Sequence, residues 1–305
     1  MKPTNRREFL QSSALLLAGA MTSLSFDFKQ QKPKLSFSSL GCPDWSLQQM
    51  ADFAVAHGYQ GLELRGLNRE MDLTRAPEFS SPARMKETLR IMRDKGLEFV
   101  GLGSSANLHP AEPAARKKNL DEARRFIDLA GAIGCPYVRV FPNNFPNDQE
   151  KQRTMDLIAE GLLELAGHAR TVGVTVLMET HGDLVRTEDL VSVMKAAEHP
   201  HAGLVWDVSN MWAVTREKPA TVWQQLKKYI RHTHIKDARI VAGKPSYTLL
   251  GEGEVPVAAA VGELVRGGYQ GYFSFEWEKL WHPDLAAPEI AIAHYPKAMR
   301  TILKQ

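Results

Sequence analysis

Short β-rich apolar runs alternate with longer amphipathic segments eight times between Leu35 and Leu303, and this alternation limits the possible folds more than any other feature of the chain. A strand followed by a helix, repeated many times, builds a parallel sheet with its helices packed outside. The strands read as Leu35–Leu40, Gly61–Arg65, Leu97–Leu102, Tyr137–Phe141, Val174–Glu179, Gly203–Asp207, Ile230–Lys236 and Gly271–Glu276. Helical periodicity fills the intervals Leu47–His57, Pro82–Lys95, Ala114–Ile133, Gln149–Val172, Thr187–Glu198, Ala220–Tyr229, Val257–Arg266 and Pro288–Leu303. One junction recurs five times, a helix ending in glycine with a strand directly behind it: His57-Gly58-Tyr59, Lys95-Gly96-Leu97, Ile133-Gly134-Cys135, Val172-Gly173-Val174 and Gly267-Gly268-Tyr269. Glycine suits the left-handed backbone of a helix C-cap. Eight such units in about 270 residues, with no break in composition, fit a closed (β/α)8 TIM barrel better than a doubly wound sheet. The expected organisation is a single α/β domain over residues 31–305.

Residues 1–30 stand apart as a targeting segment and short linker. The stretch Asn5-Arg6-Arg7-Glu8-Phe9-Leu10 precedes the apolar run Ala14–Ala20, which is too short to span a bilayer. Paired arginines before Phe9-Leu10 resemble a bacterial twin-arginine export signal, and Ala18-Gly19-Ala20 offers a small-x-small cleavage pattern. The expected location is therefore periplasmic, with no stable membrane insertion. Lys2, Arg6, Arg7 and Glu8 contribute +2 of the formal net charge of +3, which leaves the remainder close to neutral. That balance argues against a nucleic-acid partner. With only two cysteines, Cys42 and Cys135, no disulfide framework is expected, and both read as small buried hydrophobes.

Polar residues fall at particular places within the apolar strands. The fifth strand ends on Glu179, the sixth on Asp207 and the eighth on Glu276, while the seventh contains His232-Thr233-His234. A barrel gathers its strand ends above the core, so Glu179, Asp207, His234 and Glu276 converge. Three carboxylates crowded together repel one another unless a cation compensates them. The predicted cofactor is one divalent ion, Mn²⁺ before Mg²⁺, Co²⁺, Fe²⁺ or Zn²⁺, because the donor set is mostly hard oxygen. A single carboxylate after a strand reads more readily as a helix N-cap or a surface charge; four metal-competent residues in phase with the barrel do not.

The segments Gly61-Leu62-Glu63-Leu64-Arg65, Met178-Glu179-Thr180-His181, Trp206-Asp207-Val208-Ser209-Asn210, His232-Thr233-His234-Ile235-Lys236-Asp237 and Phe275-Glu276 resemble the xylose isomerase-like barrel superfamily. The resemblance is to its branch of ketose 3-epimerases, hydroxypyruvate isomerases and inosose dehydratases. It implies metal ligation by the same four residues. It further implies that Glu179 and Glu276 act as an acid/base pair on opposite faces of a sugar, moving the proton beside a carbonyl through an enediolate whose oxygens the metal holds.

Around these, Glu63, Arg65, His109, His181, Asn210, Lys236 and Arg239 are candidate substrate contacts, with Glu63 and Arg65 alternatively a supporting ion pair. Asn210 stands where ketose epimerases often carry His, which leaves the substrate open. His232 is expected to point away from His234, toward the helical layer. Trp45, Trp212, Trp277 and Trp281 are candidates to stack on sugar faces. The long connections Gly66–Ser81 and Asp237–Val255 are expected to shape or cover a pocket. Gly251-Glu252-Gly253-Glu254 lacks the lysine of a phosphate loop and reads as a turn into the next helix.

The leading expectation is a metal-dependent isomerase or epimerase of a sugar or keto-sugar, compatible with a homo-oligomer. The runner-up is a lyase or dehydratase that abstracts the same proton from a 3-keto-glycoside or keto-sugar and then expels a leaving group. A non-catalytic carbohydrate-binding protein and an abasic-site endonuclease stand behind these. The endonuclease would need more histidine ligands and a basic groove.

Overall fold

Eight parallel strands close on themselves in the computed structural model, which describes residues 33–304. They are β1 (Lys34–Ser38), β2 (Gly61–Leu64), β3 (Glu98–Asn107), β4 (Tyr137–Phe141), β5 (Thr175–Glu179), β6 (Ala202–Asp207), β7 (Ile230–Ile235) and β10 (Tyr272–Phe275). Closure comes from β1, which pairs with β10 from Lys34↔Tyr272 to Phe37↔Phe275 and with β2 from Ser36↔Gly61 to Ser38↔Glu63. Two further strands, β8 (Asp237–Val241) and β9 (Lys244–Thr248), form an antiparallel hairpin outside the barrel sheet. The proposed signal segment lies outside the described residues, and among those residues no helix is long and apolar enough to cross a membrane.

The outer layer consists of α1 (Leu47–His57), α2 (Pro82–Asp94), α3 (Pro113–Ile133), α4 (Lys151–Thr171), α5 (Thr187–Ala196), α6 (Val208–Thr215), α7 (Pro219–Leu226), α8 (Val257–Arg266) and α9 (Pro288–Ile302). Local chemistry sets their ends. A reciprocal capping box between Ser46 and Gln49 starts α1, and Pro82, Pro113, Pro219 and Pro288 open four others, where a missing N–H costs nothing. At the close of α1 and α3, Gly58 and Gly134 take φ of 78° and 70°, and their N–H groups return to the last carbonyls of the helix. These are two of the glycine junctions read from the sequence.

Side chains alternate along each strand, and the two sets differ in chemistry. Glu63 on β2 reaches His232 and His234 on β7, although β1 and β10 lie between those strands in the sheet, so these side chains must cross the barrel interior. Residues of opposite parity then face the helices. Phe275, next to inward Ser274, stacks on Tyr295 of α9 at 4.6 Å, and Phe37 packs edge-on against Tyr59 at 4.9 Å. The apolar core therefore lies mainly between sheet and helices, while polar side chains populate the barrel axis. Cys42 and Cys135 are buried and free.

Candidate metal centre and cavity

Glu179, Asp207, His234 and Glu276 come from β5, β6, β7 and the residue after β10, four consecutive staves of the barrel. One ligand atom from each lies within 4.8 Å of all the others, and all four residues are buried. His234 Nδ1 sits 3.4 Å from Glu179 Oε1, 3.2 Å from Glu276 Oε1 and 3.8 Å from Asp207 Oδ2. Ligand atoms bonded at about 2.1 Å to one ion lie roughly 3.0–3.4 Å apart in octahedral or tetrahedral cages, so the spacing needs little adjustment. His234 Nδ1 is moreover buried without a hydrogen-bond partner, while Asp207 Oδ2 and Glu179 Oε2 are met only by the ion pairs to Lys236 and Arg139. Buried polar atoms left unpaired are costly. This cluster fits a divalent cation.

Beneath it, Glu63 fixes the imidazole. Its Oε1 is 2.9 Å from His234 Nε2, and its Oε2 is 2.8 Å from His232 Nε2 and accepts from Ser274 Oγ at 2.7 Å. With Nε2 engaged by a carboxylate, Nδ1 of His234 is the nitrogen left for the cage, the carboxylate–histidine arrangement common behind metal ligands. Two expectations are corrected here. His232 does not face the helices: residues two apart in a strand share a face, so it points inward with His234. Glu63 pairs with these histidines and not with Arg65, and it does not line the cavity above the cage.

Each of the paired glutamates carries a cation on its second oxygen. Glu179 Oε2 is 3.1 Å from Arg139 Nε, and Glu276 Oε2 is 2.6 Å from Lys236 Nζ. Burial and Glu276 push the Glu179 carboxyl upward, but His234 and Arg139 outweigh them and leave it below its ordinary value. Burial likewise raises Glu276, yet His234 and Lys236 carry it well below. Asp207 goes the other way: burial lifts it to about 7 despite Lys236 at 2.9 Å. Its Oδ1 meanwhile accepts the N–H of Asn210 and caps α6, which leaves Oδ2 as the oxygen that faces the cage.

Above the cage opens a cavity of about 210 Å³, lined by Glu179, Glu276, Lys236, His181, Arg65 and Arg139 among others. His181 Nδ1 is held 2.8 Å from Asn143 Oδ1. Asn210 Nδ2 lies 3.4 Å from Glu179 Oε1, at the edge of the cage. Two other candidates are elsewhere. Arg239 is exposed and donates to the Glu252 carbonyl, and half-buried His109 does not line the cavity. Of the four tryptophans only Trp281 lines it; Trp277 is buried and donates to the Ala286 carbonyl. Neither long connection contributes a lining residue, although Tyr247 of β9 places its ring 5.5 Å from Lys236 Nζ. Arg139 and Glu278 were missed. Arg139 interrupts Tyr137-Val138-Arg139-Val140-Phe141 as Glu179 ends its own strand, so the same signal would have found it.

The profile of the xylose isomerase-like TIM barrel family matches residues 51–298. The chain belongs to that family. Fructoselysine 3-epimerase of Shigella flexneri is 20% identical over 229 residues, covering 72% of this chain and 80% of the relative. Among solved structures, the probable 3-DHS dehydratase involved in petrobactin synthesis from Bacillus anthracis superposes with a TM-score of 0.73 at 18% identity, covering 88% of this chain and 98% of its own. A xylose isomerase-like TIM barrel protein from Mycobacterium smegmatis, solved in complex with magnesium, gives a TM-score of 0.65 at 19% identity, covering 91% and 97% of the two chains.

Proposed function

We propose that this barrel is a divalent-metal-dependent isomerase or epimerase of a sugar or keto-sugar. One observation carries the reading: Glu179 and Glu276 flank a common cavity, each with Oε1 toward the ligand cage and Oε2 against a fixed cation. A divalent ion held by Glu179, Asp207, His234 and Glu276, Mn²⁺ or Mg²⁺ by its donor set, would polarise the substrate carbonyl and lower the cost of the negative charge that develops beside it. Ionised glutamates are poised to accept a proton. In the reaction, one of the pair removes the proton from the carbon next to the carbonyl, and the other returns one from the opposite side. Arg139 and Lys236 hold the two carboxylates in place between turnovers.

Lys236 favours a second reading, a lyase or dehydratase. Its ammonium lines the cavity beside Glu276, where it can protonate a departing oxygen once the neighbouring carbon has lost its proton. NMR in D₂O with the metal-loaded protein and a panel of ketoses and 3-keto-glycosides separates the two. Deuterium gained with an intact skeleton supports the isomerase; a released aglycone or a dehydrated, unsaturated product supports the lyase; neither, across the panel, overturns both. The twin-arginine-type segment leads us to propose periplasmic delivery of the folded enzyme, which fractionation of an Arg6→Lys, Arg7→Lys double variant tests.

A further inference from the structure

Arg65 and Arg139 bring two guanidinium groups to one wall of the cavity, and both side chains are more than nine-tenths buried. Gly103 makes room for them: an added Cβ there would lie 2.7 Å from Arg65 Cδ and 2.9 Å from Arg139 Nη2. Their hydrogen bonds use only part of their capacity. Arg65 donates to the Gly103 carbonyl at 3.4 Å and to Ser105 Oγ at 2.9 Å; Arg139 donates to the Ser104 carbonyl at 2.8 Å and rests 3.8 Å over the Phe141 ring. A guanidinium has five N–H donors, so several remain along this wall.

The two arginines differ in their counter-charges. Arg139 lies 3.1 Å from Glu179 Oε2, whereas Arg65 has no carboxylate within 4.0 Å among the described residues. Burial, followed by repulsion from Arg139, lowers the Arg65 pKa to about 9 against the more distant pull of Glu179, Glu276 and Glu122. A buried charge is ordinarily paired, because desolvation without a partner is expensive. The surrounding protein leaves that pairing incomplete on the side that faces the cavity.

We infer that the Arg65–Arg139 wall recognises a carboxylate on the substrate, so that the cavity takes a sugar acid or keto-acid in preference to a neutral ketose. A planar carboxylate matches the forked donors of a guanidinium and supplies the missing charge. This rests on the cavity being the substrate site, and it adds the group that the end of the substrate remote from the reacting carbon must carry.

Calorimetric titration of the Mg²⁺-loaded full chain with paired probes, D-galacturonate against D-galactose and D-gluconate against D-glucitol, tests it without turnover. At least one acid should bind about tenfold more tightly than its neutral partner, the scale of one charge-assisted hydrogen bond. Arg65→Met should erase that preference with Mg²⁺ affinity retained, which also reports an intact fold. Gly103→Ala should weaken it by displacing both guanidiniums. If no acid outbinds its partner, the inference is overturned. It is equally overturned if Arg65→Met weakens acid and neutral probes alike, because the guanidinium would then serve groups common to both. Acid preference without α-proton exchange in D₂O by any ketose, 3-keto-glycoside or keto-sugar acid would sink the isomerase and lyase readings and leave this one standing; exchange of neutral ketoses without acid preference would do the reverse.

Discussion

At the scale of single residues, the site is a problem of charge kept in place by burial. Glu179 and Glu276 stay ionised because each is neighboured by His234 and by its own cation. Replacing either with Gln keeps size and one oxygen donor but removes the base. Loss of α-proton exchange by roughly 10²–10⁴-fold is expected for Glu276→Gln and for Glu179→Gln, with substrate still bound. Wild-type exchange rates in both variants would move the chemistry to other cavity residues. Glu63 acts one layer lower. In Glu63→Gln a single carbonyl replaces the carboxylate that engages His232, His234 and Ser274, so the imidazole loses its fixed orientation. Metal affinity measured by calorimetry should fall roughly 10–100-fold; unchanged affinity would reduce the network to packing. The four cage residues were legible because each closes or nearly closes an apolar strand. Glu63's role was not, since its partners lie 169 and 171 residues away and meet it only across the barrel axis.

Elements were legible where periodicity was long, and were lost where it was short. The glycine-closed helices α1 and α8 carry the bounds expected of them, whereas eight-residue α6 follows Asp207 too closely to be separated from the strand end. The hairpin β8–β9 was hidden within a polar connection. Its organiser is Asp237, whose carboxylate accepts from the backbone N–H groups of Ala238, Gly251, Gly253 and Val255 at 2.9, 2.9, 3.0 and 3.2 Å. No short-range pattern announces a side chain that gathers donors up to 18 residues away. Asp237→Ala would strand these donors, two of them buried. A stability loss of about 3 kcal/mol is expected from urea unfolding. A change within about 0.5 kcal/mol, the size of an ordinary surface substitution, would mean that water takes the carboxylate's place.

Across the whole molecule, the barrel concentrates opposed charges at one end of its axis, so its stability and its metal affinity depend on the same protons. Asp207 has an ordinary value of 3.8 and a folded value of about 7, raised chiefly by burial. As pH climbs between these values, the unfolded chain ionises this group before the folded one does, and the metal-free barrel loses stability. His234 adds to that trend. Burial lowers it, but Glu276, Glu63 and Glu179 carry it well above its usual 6.5, so its contribution is complete below that value and fades as pH passes through the raised one. Glu179 and Glu276 are lowered from 4.5, and the stability they add with rising pH is complete before neutrality. Between pH 6 and pH 8 Asp207 and His234 are the cage groups whose contribution to stability falls as pH rises, while His109, His181 and His199, each lowered from 6.5 chiefly by burial, act in the opposite direction outside the cage. A divalent ion in the cage requires Asp207 and His234 in their deprotonated forms, so it binds with release of protons and more tightly as pH rises. Thermal unfolding with and without saturating Mg²⁺ should show a larger metal-induced rise in Tm at pH 8 than at pH 6. An equal or smaller rise at pH 8 would mean that these two groups do not carry the protons that compete with the metal, and the cage would have to be redrawn without one of them.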